Sequence, residues 1–391
     1  MTETHICPIC EAPGLRVFFR SEDVPVADNV FWRTREAAIR CAKGDVELAF
    51  CRRCECITNL ALGSGSVAYD LDYENSLHFS PAFQEYAKAL AAELVHRHGL
   101  HNKTIVEIGC GKGEFLAMLC ELGHNRGIGF DPSYANGRGN AAAGAGISYI
   151  REFYSASSAI PGCDFICCRH VLEHIPTPTQ FLSDVRRNAE KSGASVFFEV
   201  PNGRYTLQQN GIWDIIYPHA TYFVSGSLRR LFARCGFTVE SLRESFNGQY
   251  LSLEASTSGA AAQERVAPAF QNESVADEIE KFQQSYQKRV EDLTKILDEL
   301  RKSPKPAVVW GGGSKGVAFL NRFKAAPVDY VVDLNPHKQG NFVSGTGQQV
   351  VAPEFLREIQ PGTIIIMNPN YRNEIQREVE SLGIHPEFLL A

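Results

Sequence analysis

The sequence lacks the features of three classes of protein. It has no excess of positive charge: the formal net charge at pH 7 is −6, which leaves no basic field to attract nucleic acid or an anionic membrane. It contains no apolar run long enough to span a bilayer. The first residues, Met1-Thr-Glu-Thr-His5, include neither a basic region nor an apolar segment, so we expect no signal peptide. We therefore predict a cytoplasmic protein without nucleic-acid or membrane partners.

Cysteine is plentiful by comparison, with 12 residues. Without a secretion signal, these thiols are expected to be reduced rather than paired in disulfides. The length of 391 residues favours two or three domains, and an apolar content of 44% is ample for buried cores. We place the domain boundaries near residues 65 and 262, which divides the chain into segments 1–65, 66–262 and 263–391.

Two C-x2-C pairs lie in the first segment. Cys7-Pro-Ile-Cys10 and Cys51-Arg-Arg-Cys54 can present four thiolates to one tetrahedral Zn²⁺. Four thiolates leave no open coordination position, so we predict a structural zinc site whose metal contributes much of the folding free energy of a short domain. The alternative is four ordinary cysteines near the surface.

The chain is organised around a glycine-rich turn. An apolar, β-branched stretch, Thr104–Ile108, predicts a buried strand, and helix-forming residues follow from Glu114 to Leu122. Strand, glycine turn and helix form the opening unit of a doubly wound α/β nucleotide-binding domain. The acid on the strand and the glycines of the turn are Glu107, Gly109, Gly111 and Gly113.

The spacing of these glycines argues against a dinucleotide. A dinucleotide fingerprint has its third glycine three residues after the second, a position that Glu114 occupies here. The pattern E-x-G-x-G-x-G instead resembles the class I S-adenosylmethionine (SAM) methyltransferases, and its acid suits a cationic ligand. Asp131 ends a second strand pattern 20 residues after Gly111, where a carboxylate can accept both ribose hydroxyls. A dinucleotide, or a turn without a ligand, is the alternative.

Two aromatic residues are further candidates for contact with the cofactor. Tyr73 lies in a polar, aromatic loop before a predicted helix, Pro81–His98. We predict that this loop covers the cofactor, with a solvated connector as the alternative. Phe153 follows a third strand, Ile147–Ile150, where it could stack on adenine.

Two histidines follow a fourth predicted strand, Cys163–Cys168. His170 and His174 are four residues apart, so a helical turn would place both on one face. We assign His170 to the cofactor and His174 to the substrate. The alternative is a pair of hydrogen-bonded structural histidines. Zinc is disfavoured because Glu173 does not complete the order H-E-x-x-H.

The densest group of chemically active residues is Trp213–Phe223, beyond a fifth strand, Ser195–Pro201. Tyr217 and His219 are two residues apart, so in an extended segment they would project to the same side. Histidine is the side chain best suited to take a proton near neutral pH, and tyrosine can donate to a developing oxyanion. A plain aromatic core is the alternative for this segment.

The C-terminal segment begins with a long amphipathic helix, predicted over Val275–Arg301, and continues with strand Ala307–Trp310. The following Gly311-Gly-Gly-Ser-Lys-Gly316 satisfies G-x-G-x-x-G, and Asp333 ends the next strand. NAD is one reading, a tight turn is another, and we favour a cradle for a substrate phosphate that includes Lys315. We also assign substrate contacts to Asn202 and Tyr222.

Three features in this order resemble one family across nearly the whole chain: the four-cysteine segment, the SAM segment, and a helix leading to a Rossmann-like tail with Gly-Gly-Gly-Ser-Lys-Gly, Asp-Leu-Asn-Pro and Met-Asn-Pro-Asn-Tyr. The chain resembles the C-methyltransferases of nucleotide-linked deoxysugars, such as the 3-C-methyltransferases of antibiotic sugar pathways. The resemblance implies a doubly wound SAM domain between a zinc domain and a Rossmann-like domain, acting as a monomer or homodimer.

The resemblance also implies a mechanism. A base removes the proton next to the ketone of a nucleotide 4-keto-6-deoxysugar, and the enolate attacks the SAM methyl. The family has a Tyr-x-Glu-His run after the fifth strand; Tyr217-Pro-His219 stands there, one residue shorter and without the glutamate. On this basis Tyr217, His219 and His174 are the expected catalytic residues. An O- or N-methyltransferase of another small metabolite, and a non-catalytic nucleotide-binding or assembly protein, are the alternatives.

Overall fold

The computed structural model describes residues 5–63, 74–134, 146–257 and 274–391, and these contain three β-sheets. The predicted domain boundaries near 65 and 262, and the predicted cofactor contact Tyr73, lie outside the described residues.

The N-terminal sheet is antiparallel and has the strand order β1-β2-β3-β9. Its elements are β1 (Arg16–Pro25), α1 (Arg35–Ile39), β2 (Lys43–Phe50), β3 (Ile57–Asn59) and β9 (Thr221–Tyr222). Strand β9 belongs to the segment Trp213–Phe223 that carries His219. Thr221 pairs with Thr58, and Tyr222 pairs with Ile57. The N-terminal sheet therefore holds the end of that segment in place.

The central sheet has the order β10-β11-β8-β7-β4-β5-β6. Strands β8, β7, β4, β5 and β6 are parallel, and β11 runs antiparallel between β8 and β10. The elements are α2 (Pro81–His98), β4 (Thr104–Ile108), α3 (Glu114–Gly123), β5 (Arg126–Phe130), β6 (Ile147–Ile150), β7 (Phe165–Arg169), α4 (Pro178–Ser192), β8 (Ser195–Pro201), α5 (Gly203–Gln208), α6 (Ser225–Arg234), β10 (Thr238–Ser245) and β11 (Tyr250–Ser256).

Local sequence explains why this sheet forms where it was predicted. The central strand β4 is buried from Ile105 onward and β7 throughout, as the apolar character of parallel strands requires. Ser80 caps α2 through the Phe83 N–H, and Gly99 ends the helix in the left-handed conformation. The predicted α/β fold class, with its doubly wound central sheet, is confirmed.

The C-terminal sheet is parallel, with the order β14-β13-β12-β15-β16. Helix α7 (Val275–Lys302) precedes it. Its own elements are β12 (Ala307–Trp310), α8 (Ser314–Arg322), β13 (Val328–Val332), β14 (Gln349–Val351), α9 (Leu356–Ile359), β15 (Thr363–Ile366), α10 (Arg372–Ser381) and β16 (Glu387–Leu390).

The C-terminal sheet is joined to the other two by burial and by hydrogen bonds. Phe282 of α7 packs in one apolar core with Phe19 of β1 and Val317 of α8. Glu374 of α10 accepts hydrogen bonds from the Ser80 hydroxyl and the Ala82 N–H, both at 2.8 Å, at the start of α2. These contacts set the C-terminal sheet against the central one.

None of the helices within the described ranges combines the length and the apolar character needed to cross a bilayer.

Candidate active site

A cavity of about 700 Å³ lies where the carboxyl ends of two parallel sheets face each other. From the central sheet it is lined by the residues that follow β4, β5, β7 and β8, and from the C-terminal sheet by those that follow β12, β13 and β15. Ligands of doubly wound folds bind at the carboxyl ends of strands, and at this cavity two such edges meet.

The glycine turn after β4 forms one wall of this cavity. Gly109, Gly111 and Gly113 all have positive φ, at 67°, 55° and 82°, which favours glycine. A Cβ on Gly109 would overlap Val171, and one on Gly113 would overlap the Tyr149 hydroxyl, whereas a Cβ on Gly111 would meet nothing within 4 Å. Gly109 and Gly111 line the cavity.

Gly113 is a correction to the predicted cofactor contacts. It is the N-cap of α3, packed against Tyr149, and is not among the described residues that line the cavity. The glycine pattern predicted that all three glycines approach the ligand. The chain enters α3 at the third glycine, so only the first two line the cavity among the described residues.

Two acids stand beside this turn. Glu107 is buried, and in the described part of the chain its Oε2 has no hydrogen-bond partner; burial raises its pKa to about 8. Asp131 accepts from the Gly111 N–H at 2.8 Å through Oδ2, and from the Ser133 N–H and hydroxyl at 2.7 Å through Oδ1. An unpartnered buried acid and an open glycine backbone fit SAM, whose ammonium group can donate to a carboxylate.

A buried ion pair supports the floor of the cavity. The Arg169 guanidinium donates to Glu199 Oε1 from Nε at 3.0 Å and from Nη2 at 2.8 Å, and it lies 4.1 Å from the Phe115 ring centroid. The Tyr86 hydroxyl also donates to Glu199. Burial alone would favour the neutral acid, but Arg169 holds the pKa of Glu199 well below its usual range. No local sequence pattern predicts contact between Arg169, Glu199 and Tyr86, which are distant along the chain.

His170 lies on this ion pair rather than on a helical turn with His174. Its φ of 55° is in the left-handed region. The 3₁₀ turn that follows covers Leu172–His174 and does not include His170. Its Nε2 is 3.2 Å from Glu199 Oε1, and its ring contacts Tyr250 with centroids 4.6 Å apart. Both histidines nevertheless line the cavity.

His174 and His219 meet in the cavity, with ring centroids 4.8 Å apart at 70°. His174 Nδ1 lies 3.1 Å from the Pro218 carbonyl, which can only accept, so the hydrogen of the neutral ring sits on Nδ1. Burial lowers the pKa of His174 to about 4 and that of His219 well below its usual range. Both imidazoles are therefore neutral near pH 7, as a general base must be.

Glu173 is a third member of this cluster, and it was not among the residues predicted for the site. One ligand atom from each of Glu173, His174 and His219 lies within 4.8 Å of the others. Burial raises the pKa of Glu173 to about 8. The three groups can share protons, and the same donor set is one that could hold a divalent metal ion.

Tyr217 does not join His219, contrary to the prediction. Tyr217 and Pro218 form a turn, closed by the His219 N–H and the Ile216 carbonyl at 3.4 Å, so residues two apart do not project to one side. The Tyr217 ring packs on Gly44, and its hydroxyl accepts from the Gly63 N–H at 3.3 Å. Tyr217 is not among the described residues that line the cavity.

Tyr222 is also displaced from its predicted place against the substrate. Its hydroxyl accepts from the Ile216 N–H at 2.9 Å and donates to the Ile216 carbonyl at 3.1 Å. The ring centroid is 5.4 Å from that of His219. Tyr222 therefore stabilises the loop that carries His219, and it is not among the described residues that line the cavity.

The other predicted contacts do line the cavity. Lys315 forms an ion pair with Asp214. Asn202 caps α5 by accepting from the Arg204 N–H at 3.1 Å and also donates to the Gly248 carbonyl at 2.9 Å. Phe153 lies at the rim with 69% of its surface exposed.

Two family models match the chain: "Methyltransferase domain" over residues 83–242 and "C-methyltransferase C-terminal domain" over residues 249–385. The C-methyltransferase NovU of Streptomyces niveus is 24% identical over 350 residues, which cover 84% of this chain and 81% of NovU. The chain belongs to the SAM-dependent C-methyltransferases.

Solved structures of methyltransferases also resemble the chain. A SAM-dependent methyltransferase from Aquifex aeolicus shares 16% identity with a TM-score of 0.36, over 43% of this chain and 89% of that one. Magnesium protoporphyrin IX methyltransferase from Synechocystis PCC 6803, with bound SAH, shares 19% identity with a TM-score of 0.35, over 50% of this chain and 90% of that one.

The second glycine turn of this methyltransferase repeats the hydrogen bonds of the first. The Gly312 N–H donates to Asp333 Oδ2 at 2.8 Å, as Gly111 does to Asp131, and the Asn335 N–H donates to Asp333 Oδ1 at 2.8 Å. A Cβ on Gly316 would overlap the Gly311 carbonyl, so this glycine allows close packing of α8 on β12. The turn faces the same cavity.

The four predicted zinc ligands come together in the N-terminal segment. Sulfur atoms of Cys7 and Cys54, and of Cys10 and Cys51, are each 3.5 Å apart, and all four lie within 4.8 Å of one another. Tetrahedral coordination with Zn–S bonds of about 2.3 Å requires sulfur atoms roughly 3.8 Å apart. The donor set therefore fits a structural zinc ion.

We predict that the purified methyltransferase contains one zinc per chain. The substitution Cys51→Ser should release it and cost about 3 kcal/mol or more, which lowers the thermal midpoint by roughly 5–10 °C. Metal analysis and thermal unfolding measure both effects. The control is Cys235→Ser, at a half-buried cysteine outside the cluster. Zinc-free protein with an unchanged midpoint would contradict the assignment.

We also predict that Asp131→Asn weakens binding of S-adenosylhomocysteine (SAH) about 10-fold or more, or ~1.4 kcal/mol, because a charged acceptor for the ribose is lost. Calorimetric titration measures the affinity. The matched control is Asp329→Asn, at an exposed position of β13. Equal affinity of the two variants would remove Asp131 from the cofactor site.

Proposed function

We propose that this enzyme transfers the methyl group of SAM to the carbon next to the ketone of a nucleotide-linked 4-keto-deoxysugar, in a secondary-metabolite or polysaccharide pathway. The observation that carries the proposal is a pair of neutral histidines, His219 buried and His174 half-buried, in the cavity that the first glycine turn also lines. Family membership favours carbon over oxygen or nitrogen as the acceptor.

His219 is the proposed general base. Its ring is neutral, enclosed and on the cavity wall, so it can take a proton from a carbon acid. The C–H bond breaks, its electron pair remains as the enolate, and the proton joins the imidazole. Bound SAM supplies an electrophilic methyl group on its sulfonium. His174, fixed by the Pro218 carbonyl, is assigned to the substrate as the neighbour of His219 in the same cluster.

The developing oxyanion needs a donor other than Tyr217. Lys315 lines the cavity, and its positive charge is one of the influences that lower the pKa of His219. We assign it to a negatively charged oxygen of the substrate. Asp214 forms an ion pair with the Lys315 ammonium group and holds it in place; it lies in the same loop as His219.

A nucleotide sugar is supported by the second glycine turn. Helix α8 begins at this turn, and the backbone N–H groups at a helix N-terminus can bind phosphate. SAM at the first turn and a nucleotide phosphate at the second would place the sugar between the two sheet edges. The presence of both edges in one cavity supports this arrangement over a smaller acceptor.

The test is exchange of deuterium into the carbon next to the ketone, in heavy water with SAH bound. We expect exchange with the wild type, and His219→Ala should slow it by about 10²-fold or more because the general base is lost. NMR follows the exchange, and calorimetry should show SAH affinity within about 2-fold of wild type.

His96→Ala, at an exposed position of α2, is the matched control and should exchange at the wild-type rate. An unchanged rate for His219→Ala would remove that residue from the mechanism. Absence of exchange by the wild type, across a panel of nucleotide keto sugars, would contradict the proposed reaction itself.

A further inference from the structure

Glu173 is a buried acid in the cavity whose side chain has no assigned role. It is 2% exposed, and no hydrogen-bond partner for its Oε2 occurs among the described residues. Its backbone carbonyl is hydrogen-bonded, since it accepts from the Ala220 N–H at 2.8 Å. A buried carboxyl oxygen without a partner is costly, and it is retained where another group supplies the missing contact.

His219 also has a buried polar atom without a partner among the described residues. Its Nδ1 is buried and, like Glu173 Oε2, has no hydrogen-bond partner in the described part of the chain. The ligand atoms of the two residues lie within 4.8 Å of each other. The two side chains are therefore close enough for one water molecule to bridge them, and a water placed between the two unpartnered atoms would satisfy both.

The charged groups around Glu173 already have partners of their own. His170 Nδ1 is 3.9 Å from Glu173 Oε1, and the next carboxylate, Glu199, is paired with Arg169. His174 donates its Nδ1 hydrogen to the Pro218 carbonyl. Lys315, which influences His219, is paired with Asp214. Arg169 and Lys315 are thus each paired with another acid, which leaves the Glu173 carboxyl group to interact with the imidazoles.

Building on the proposed function, we propose that Glu173 is the positioning residue of the general base. Its carboxylate accepts, through one bridging water, the Nδ1 hydrogen of His219. This fixes the tautomer with its lone pair on Nε2, the nitrogen that takes the proton from the acceptor carbon. When the imidazole becomes positively charged in this buried place, the carboxylate supplies the opposite charge.

This arrangement also provides the carboxyl group absent from Tyr217-Pro-His219. Glu173 reaches the histidine from the loop after β7, and the Ala220–Glu173 hydrogen bond holds the two loops together. The acid and the base are therefore distant in sequence but adjacent in the cavity.

The test compares Glu173→Gln, which keeps the shape but cannot become a carboxylate, with wild type. We expect deuterium exchange to slow by about 10- to 100-fold, with KM for the keto sugar and SAH affinity within about 3-fold of wild type. Glu173→Asp should restore part of the rate, because a bridging water can span the shorter side chain. Glu121→Gln, at an exposed position of α3, is the matched control.

The pH profile separates positioning from a structural role. Because burial raises the pKa of Glu173 to about 8, the wild-type exchange rate should rise as pH increases through that value. His219 adds no titration there, since its pKa is far lower. In Glu173→Gln the rise should disappear.

Several outcomes would overturn the proposal. A wild-type rate and pH profile in Glu173→Gln would do so while leaving the proposed function intact. A parallel loss of SAH affinity or thermal stability would make Glu173 structural. Stoichiometric divalent metal that is lost from Glu173→Gln and from His219→Ala would replace positioning by metal binding. A wild type without any exchange would remove both this role and the proposed function.

Discussion

The hydrogen bond between the Ala220 N–H and the Glu173 carbonyl, 2.8 Å long, is the contact on which the candidate site depends. It joins the loop after β7, which carries His174, to the segment that carries His219. Pairing of β9 with β3 fixes the far end of that segment to the N-terminal sheet. Cys51 and Cys54 lie between β2 and β3, so a metal ion bound by the cysteine cluster would stabilise the sheet that holds the loop carrying His219, although the cluster lies outside the cavity.

Burial gives these polar groups their chemical properties. Neutral imidazoles and high-pKa acids occur together because desolvation penalises each charged form. The Arg169–Glu199 pair, by contrast, remains ionised through direct contact. The Glu107 oxygen without a partner among the described residues can receive a cationic cofactor, and the neutral imidazoles can receive the proton of a carbon acid.

The sequence predicted what local patterns determine. Strands β4, β6, β8 and β12 and helix α2 were found at the expected residues, because glycine turns, capping residues and apolar runs act within a few positions. The meeting of His174 and His219 was predicted only through a family resemblance, since it depends on contacts between distant segments. The Arg169–Glu199 pair, 30 residues apart in sequence, gave no local signal.

The errors in the candidate site have the same origin. Tyr217 was placed beside His219 on the assumption of an extended chain, and the turn at Pro218 sends its ring to Gly44 instead. Gly113 follows the glycine pattern but belongs to the start of α3. Glu173 was considered in the sequence only as part of a zinc motif that it does not complete, and its burial without a partner for Oε2 in the described part of the chain is what distinguishes it in the structure.

The most direct measurement of the central claim is NMR on the product formed from SAM with a ¹³C-labelled methyl group and a nucleotide 4-keto-deoxysugar. We predict that the labelled methyl carbon is bonded to the sugar carbon next to the ketone, with the proton of that carbon replaced. A methyl group found on oxygen or nitrogen, or no labelled product from any keto sugar, would contradict it.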